Sequence, residues 1–499
     1  MTAPISNPSP PAAPRPIFFA VLTTIVGLSF ALGLWGLLHD HRLSVLAVTG
    51  GYLFYEVGVS LLLAVSAAVG VRRRWKRRHA PGRGTPPAVS VLIAAHNERV
   101  CIEATIESLR AQEGVAFEII VASDGSTDGT NEVVITRYAM TQGRPGEWLS
   151  TSDPRLKLLV LPRVGKGNAL NAALAEARLE LVATVDADTR LEPGALASLA
   201  ATFLDATVAS AGGFIYIRNA GVGGPWLARY QYWEYLKNFI WRIGLVEMGV
   251  CLQVSGAFGA FRASVLRELG GFDGASSVED YEIIFRLHER LRLARRADCR
   301  VEVAPDAVAL TDGPETPSDF MRQRTRWFAG FLQTMWDYRR MVGDRRLGAL
   351  GWLLLPIKCI DAMLPVWGVL SLSLLVAALA TGIEALQISA LALFGGKVMI
   401  ELANAAVVGT CHRALFGDRR FAVRMWPYVL TEGLVFHWFR QIAVLRAYQR
   451  VHVRQPQWEQ TGRPRRLDEP GQPPPPDISC KVPGSNGYVP PRARRGLFP

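Results

Sequence analysis

The chain is 499 residues long, 49% hydrophobic and 20% charged, with a formal net charge of +12. Its length allows several domains, and no nucleic-acid recognition motif accompanies the positive charge, which argues against DNA or RNA as a partner. The six cysteines (Cys101, Cys251, Cys299, Cys359, Cys411, Cys480) form no CxxC and no His pairing at metal spacing, which excludes a disulfide framework and a zinc site.

Residues 1–16 read as disordered. Residues 17–38 carry no charge and residues 44–70 carry only Glu56. Each stretch exceeds the roughly 20 residues that cross a bilayer core as a helix. Two membrane spans over 17–70 are expected, with an uncleaved signal peptide as the alternative for the first. "VRRRWKRRH" (71–79) follows at once. The positive-inside rule puts this flank in the cytoplasm and, after two crossings, the amino terminus too, leaving "HDHR" as a short outer loop. The basic belt also suits anionic lipid headgroups.

From about 86 to 330 short apolar runs alternate with amphipathic segments. "VSVLIAA" (89–95), "FEIIVAS" (117–123), "LKLLVLP" (156–162) and "LELVATV" (179–185) read as strands. Helices are expected at 100–112, from Thr127, and at 166–178. This alternation predicts an α/β domain with a mostly parallel sheet covered by helices on both faces. In such sheets ligands bind beyond the carboxyl ends of the strands.

Beyond this domain, 331–450 reads as membrane-associated. Residues 331–348 form a basic, amphipathic segment suited to a membrane surface. Hydrophobic stretches follow near 361–382 and 386–409, the second holding Lys397 and Glu401 one helical turn apart. Those two could pair to help the helix tolerate lipid, or line a polar passage. Residues 424–446 are apolar but contain Glu432, His437 and Arg440, and read equally as crossing, re-entrant or flat, for two to three spans in all. The Pro- and Arg-rich tail, 451–499, reads as disordered.

The acidic residues that follow strands carry the chemistry. Asp124 in "VASDGSTDGT" and Glu98 in "AAHNE" sit at neighbouring strand ends. An Asp-Gly-Ser turn is common loop chemistry, but an acid there can also bind ribose or base groups of a nucleotide. In "LVATVDADTRLEP" (181–193), strand alternation puts Asp186 and Asp188 on one side. Two like charges so placed call for a cation, and Mg2+ or Mn2+ accepts one or two carboxylates while taking its other ligands from a diphosphate. In "SVEDYE" (277–282), Glu279 and Asp280 precede a helix, where acids are favoured; Asp280 could also act as a general base. Basic groups complement these acids. Lys166 lies in a Gly-rich turn at a helix start, a place for phosphate. "RQRTRW" (322–327) puts Gln323 and Trp327 on one helix face with Arg326 beside them. A guanidinium can grip a diphosphate and an indole can support a sugar ring, although a basic aromatic helix also suits a membrane surface.

In this order, the Asp of "SDGS", the DxD, the "ED" and the Q-x-x-R-W resemble the membrane-embedded family-2 glycosyltransferases, which include cellulose, chitin, hyaluronan and poly-N-acetylglucosamine synthases. "GKGNALN" and "SGAFGAFR" (255–262) match two further landmarks of that family. The resemblance covers about 86–330, and the flanking hydrophobic segments extend it over most of the chain. It implies a GT-A (Rossmann-like) catalytic domain on the cytoplasmic side of the cell membrane, and a UDP-sugar donor. Glu98 and Asp124 would hold the uridine, with Lys166 near the nucleotide. Asp186 would lie close to ribose or phosphate and Asp188 would ligate the metal. Asp280 would be the base of an inverting transfer, with Glu279 and Gln323 beside the acceptor. Arg326 would meet the leaving diphosphate and Trp327 would form the floor under the acceptor sugar. His96 stands where the family more often has Tyr, and Val278 where many members have Thr; both could tune donor fit.

The leading expectation is a processive enzyme that extends a β-linked polysaccharide among membrane lipids, with room for an accessory membrane subunit. The alternative is a non-processive enzyme that glycosylates a lipid such as diacylglycerol or ceramide. A catalytically silent scaffold is disfavoured, because every acid is present.

Overall fold

The computed structural model describes residues 42–77, 84–221, 224–296, 299–382, 384–417 and 421–451. The first expected span, the expected disordered amino terminus and residues 452–499 of the expected disordered tail lie outside these residues. The elements in chain order are α1 (Arg42–Arg77), β1 (Val89–Ala95), α2 (Ile102–Arg110), β2 (Phe117–Asp124), α3 (Thr130–Arg137), β3 (Met140–Gln142), β4 (Glu147–Ser150), β5 (Leu156–Leu161), α4 (Lys166–Glu176), β6 (Leu181–Val185), β7 (Arg190–Leu191) and α5 (Ala195–Ala201). Then come β8 (Val208–Ile217), α6 (Trp226–Glu247), β9 (Phe258–Arg262), α7 (Ala263–Glu268), α8 (Glu279–Leu287), β10 (Arg300–Thr311), α9 (Pro317–Asp337), α10 (Leu355–Thr381), α11 (Glu384–Phe416), α12 (Phe421–Thr431) and α13 (His437–Arg450).

One ten-stranded sheet, in the order β3-β4-β5-β2-β1-β6-β9-β8-β10-β7, organises the domain. Its centre follows the expectation: β1 pairs in parallel with β2 on one side, from Val89–Phe117 to Ala95–Ser123, and with β6 on the other. All residues of β1, β6 and β8 are buried, which is why they read as unbroken apolar runs instead of alternating ones. The sheet is more mixed than the alternation predicts, because β9 enters antiparallel between β6 and β8. A short apolar run such as Phe258–Phe261 carries no mark of its direction. The helices pack on this sheet around a core that includes Leu92, Ile93, Ile120, Phe214 and Phe258.

Among the described residues two helical stretches, Gly50–Arg74 and Gln387–Phe416, are long and apolar enough to cross a membrane by length and composition. The expected segment near 361–382 falls in α10, which contains Pro365. The first candidate, in α1, packs on α6 through glycine. A Cβ on Gly244 would lie 2.6 Å from the Ala67 nitrogen, and one on Gly70 would lie 2.8 Å from Ile243. Both crossings therefore require the missing side chain. The expected surface segment 331–348 becomes the end of α9 and two short turns, Arg339–Met341 and Arg345–Leu347. The stretch 424–446 divides into α12, a wide turn at Glu432–Phe436, and α13.

His288 is 2% exposed and its Nε2 donates to the Cys251 carbonyl at 2.9 Å. Burial, with a smaller push from Arg292, lowers its pKa to about 4 against the pull of that hydrogen bond. The unfolded chain therefore binds the proton first as pH falls. The stabilisation is complete above about 6.5, the unfolded value, and is lost as pH falls toward 4, by about 3 kcal/mol in all. The melting temperature of the purified protein should fall from pH 7 to pH 4.5 by several degrees more than that of His288→Gln. Parallel curves would show that His288 does not carry this dependence.

Candidate active site

The carboxyl ends of β1 and β6, the start of α8 and the middle of α9 meet at one cavity. Its volume is about 760 Å³, and Glu98, Lys166, Asp186, Asp188, Glu279 and Asp280 all contribute to its wall. So do Gln323, Arg326 and Trp327 from α9, and Tyr52, Glu56, Lys397 and Glu401 from the two long apolar helices.

Asp124 is the expected donor residue that the structure does not bring to the cavity. Its carboxylate is fully buried, and Oδ1 accepts the Val164 N–H at 2.6 Å and the Gly165 N–H at 3.1 Å. Oδ2 accepts from Gly165 at 3.1 Å, with Arg163 Nη1 3.7 Å away. Both oxygens are thus taken up in fixing the turn that launches α4. Gly165 takes φ 89° there and Gly125 takes φ 62°, where a Cβ would meet the Arg163 nitrogen at 2.9 Å. The physical reason is the shortage of partners in a tight turn, where a buried acid supplies acceptors for N–H groups that would otherwise have none. Lys166 is the first residue of the helix that this turn launches.

Lys166 is the electrostatic centre. Its Nζ lies 2.8 Å from Asp186 Oδ1 and 2.9 Å from Glu279 Oε1. Burial opposes its charge, but Asp186, Glu279 and Asp280 outweigh that and hold its pKa above the ordinary lysine value. The two strand-end acids flank Ala187, which is 2% exposed and whose carbonyl accepts from Thr105 Oγ1 at 2.8 Å. Asp186, Ala187 and Asp188 all border the cavity. Thr189 Oγ1 lies 3.4 Å from Asp188 Oδ1.

Asp280 is the second residue of α8, and its Oδ2 accepts the Gly256 N–H at 2.8 Å. Gly256 comes from "SGAFGAFR"; a Cβ there would press on Asp280 Cβ at 3.3 Å and on Lys166 Nζ at 3.4 Å. Burial and then Glu279 raise the pKa of Asp280, while Lys166 and the Gly256 N–H lower it. Helix α9 starts at Pro317, with Thr316 Oγ1 accepting the Asp319 N–H at 3.2 Å. Gly330 brings α9 against the loop before α8, where a Cβ would meet Val278 at 2.6 Å. Arg326 Nη1 donates to the Ser277 carbonyl at 2.9 Å. Trp327 is half-buried on the cavity wall.

The sequence reading missed the contribution of α6. Glu234, Asn238 and Arg242 all face the cavity, and Arg242 Nη2 donates to Gln253 Oε1 at 2.6 Å. Their signal was present: three polar residues spaced by four make one stripe along a helix.

Acids beyond strand ends thus face a lysine and an arginine over a mixed sheet. Residues 90–270 match the family model for glycosyl transferase family 2, and residues 181–392 match that for glycosyl transferase family group 2. The chain carries a glycosyl transferase family 2 domain. It is similar to a poly-beta-1,6-N-acetyl-D-glucosamine synthase of Staphylococcus epidermidis, 28% identical over 259 residues that cover 50% of this chain and 57% of that protein. It is also similar to the probable glycosyltransferase YdaM of Bacillus subtilis, 28% identical over 263 residues that cover 49% of this chain and 55% of the relative. The chain thus spans little more than half the length of these curated relatives. Among solved structures, a mannosyltransferase of Pyrobaculum calidifontis in complex with GDP-Man and Mn2+ aligns with TM-score 0.44 and 20% identity, over 80% of this chain and 98% of that one.

Proposed function

We propose that the protein transfers a sugar from a UDP-sugar to an acceptor hydroxyl with inversion, extending a β-linked polysaccharide at the cell membrane from the cytoplasmic side. The observation that carries this reading is the single cavity shared by Asp186, Asp188, Asp280, Arg326 and Trp327, which continues to side chains of α1 and α11. The acceptor hydroxyl attacks the anomeric carbon, its proton passes to the Asp280 carboxylate, and the bond to the diphosphate breaks. Arg326 and Lys166 meet the charge that grows on the leaving group. Glu98 lies beside the nucleoside, Asp124 sets the turn behind it, and Trp327 supports the acceptor ring.

The donor set suits a divalent cation. Among the described residues no three His, Cys, Asp or Glu side chains form a metal cage, whereas two carboxylates face the cavity at Asp186 and Asp188. Mg2+ and Mn2+ commonly take one or two carboxylates and complete their shell with phosphate oxygens and water. A bound ion would be held by Asp188 and Asp186 and would neutralise charge on the diphosphate. Glu279 and Gln323 border the acceptor.

Incubating the purified full chain with radiolabelled UDP-sugars and Mg2+ or Mn2+ tests the reading. UDP-N-acetylglucosamine comes first, since the named staphylococcal relative is a synthase of an N-acetylglucosamine polymer. A high-molecular-weight product cleaved by a matching β-glycosidase is expected. A chloroform-soluble product bearing one sugar would overturn the polymer and favour the lipid acceptor.

A further inference from the structure

The residue after Gln323 in Q-x-x-R-W brings a second cation to the acceptor side, one that the chemistry above does not use. Arg324 is 5% exposed and its Nη2 donates to Glu234 Oε2 on α6 at 2.5 Å. Its guanidinium carbon lies 4.5 Å from the centre of the Trp327 ring and 5.0 Å from that of Phe320. Its Nε is buried with no hydrogen-bond partner among the described residues. The cation is therefore held by one ion pair and by ring faces, not by a full set of hydrogen bonds.

Neighbours three apart on a helix often touch; what sets this pair apart is the anchor from a second helix. Glu234 is itself 5% exposed and lies 3.6 Å from Arg440 Nη1, which is 3.6 Å from Glu432 Oε1. Glu432 accepts the Trp233 indole N–H at 2.8 Å and faces Lys237 Nζ at 3.0 Å. Lys237 in turn reaches Glu401 of α11 at 3.0 Å. Glu234 is thus fixed from behind, and a planar cation fixed by Glu234 sets the tilt of the indole it covers.

We propose that Arg324, with Glu234 behind it, is a positioning residue that holds the Trp327 indole as a flat platform for the acceptor sugar. This rests on the acceptor role given to Trp327 above. A buried pair serving only to join α6 to α9 would lower stability and affect donor and acceptor alike. A positioning role acts through Trp327 and shows in the acceptor.

A double-mutant cycle of Arg324→Lys and Trp327→Ala on the purified full chain decides between them, using both a β-linked oligosaccharide and diacylglycerol as acceptors. Arg324→Lys keeps the charge and loses the plane. It should raise acceptor KM about 10-fold, with a far smaller change in donor KM, and should add less than about 2-fold once Trp327 is alanine. Glu234→Gln, which keeps the shape of the pair, should move acceptor KM in the same direction and serves if Arg324→Lys does not fold. Additive effects in the cycle, or equal losses in donor and acceptor KM, overturn the proposal. If diacylglycerol alone accepts sugar, the polymer reading falls, and the cycle read on the lipid still decides the role of Arg324.

Discussion

Asp280→Asn is expected to lower sugar transfer by about 10²- to 10⁴-fold, the range for removing a positioned general base. The substitution is close to isosteric, and an amide oxygen can still accept the Gly256 N–H that Asp280 Oδ2 takes at 2.8 Å. The start of α8 should therefore keep its place. The exchange also removes one negative charge from beside Glu279 and Asp186, both of which raise the pKa of Asp280, so the folded state loses repulsion instead of gaining it. Donor KM should stay within a few-fold and the melting temperature should hold or rise. What falls is the step in which the acceptor oxygen must lose its proton. Single-turnover transfer measured beside melting temperature separates these effects. Full transfer by the variant would remove the base from Asp280 and restore the silent-scaffold alternative.

The parts of the fold that the sequence disclosed are those where burial is symmetric. Strands β1, β2 and β6 are enclosed on both faces, so their apolar runs stand out, and each runs into a polar residue near its carboxyl end. Strand β9 is no less buried, at least from Phe258 to Phe261, but its antiparallel direction is set by its neighbours β6 and β8, not by its own residues. The ordered motifs, through the family they resemble, put Lys166, Asp186, Asp188, Glu279 and Asp280 in one site, and all five line one cavity. They could not show that Asp124 faces inward, because a turn acid looks the same in sequence whether its oxygens meet a ligand or backbone N–H groups 40 residues away. Nor could they show that α6 supplies a wall. The stripe Glu234, Asn238, Arg242 has helical spacing, but its meaning depends on which elements that face meets, and those lie roughly 90 residues on at Arg324 and further still at Arg440. Long-range pairing of charges is a tertiary property, and the buried ion pairs that join α6, α9, α11 and α13 are all of this kind.

Lys166→Met tests the charge balance on which the whole site depends. The substitution keeps an unbranched side chain, one atom shorter, and removes the ammonium that lies 2.8 Å from Asp186 and 2.9 Å from Glu279. Glu279 has only 6% of its side chain exposed, so water cannot replace what is lost. Removing one partner of a buried pair leaves a carboxylate without compensation, at a cost of about 3 kcal/mol. The upper part of the usual range does not apply, since Asp186 keeps 31% of its side chain in contact with solvent. With the ammonium gone, Asp186, Glu279 and Asp280 repel one another, and the cheapest relief is to bind a proton. Asp280 loses the lysine that lowers its pKa and becomes a worse candidate to hold the base form at neutral pH. Transfer should therefore fall by at least about 10²-fold, combining the weakened base with the loss of a cation from the leaving group. Stability provides a second readout that does not depend on turnover. Adding Mn2+ should raise the melting temperature of Lys166→Met more than that of the wild type, because the ion brings positive charge to acids that have lost theirs. Equal responses to Mn2+ would mean that these carboxylates do not share one electrostatic site, and the proposed hold on the diphosphate would have to be abandoned.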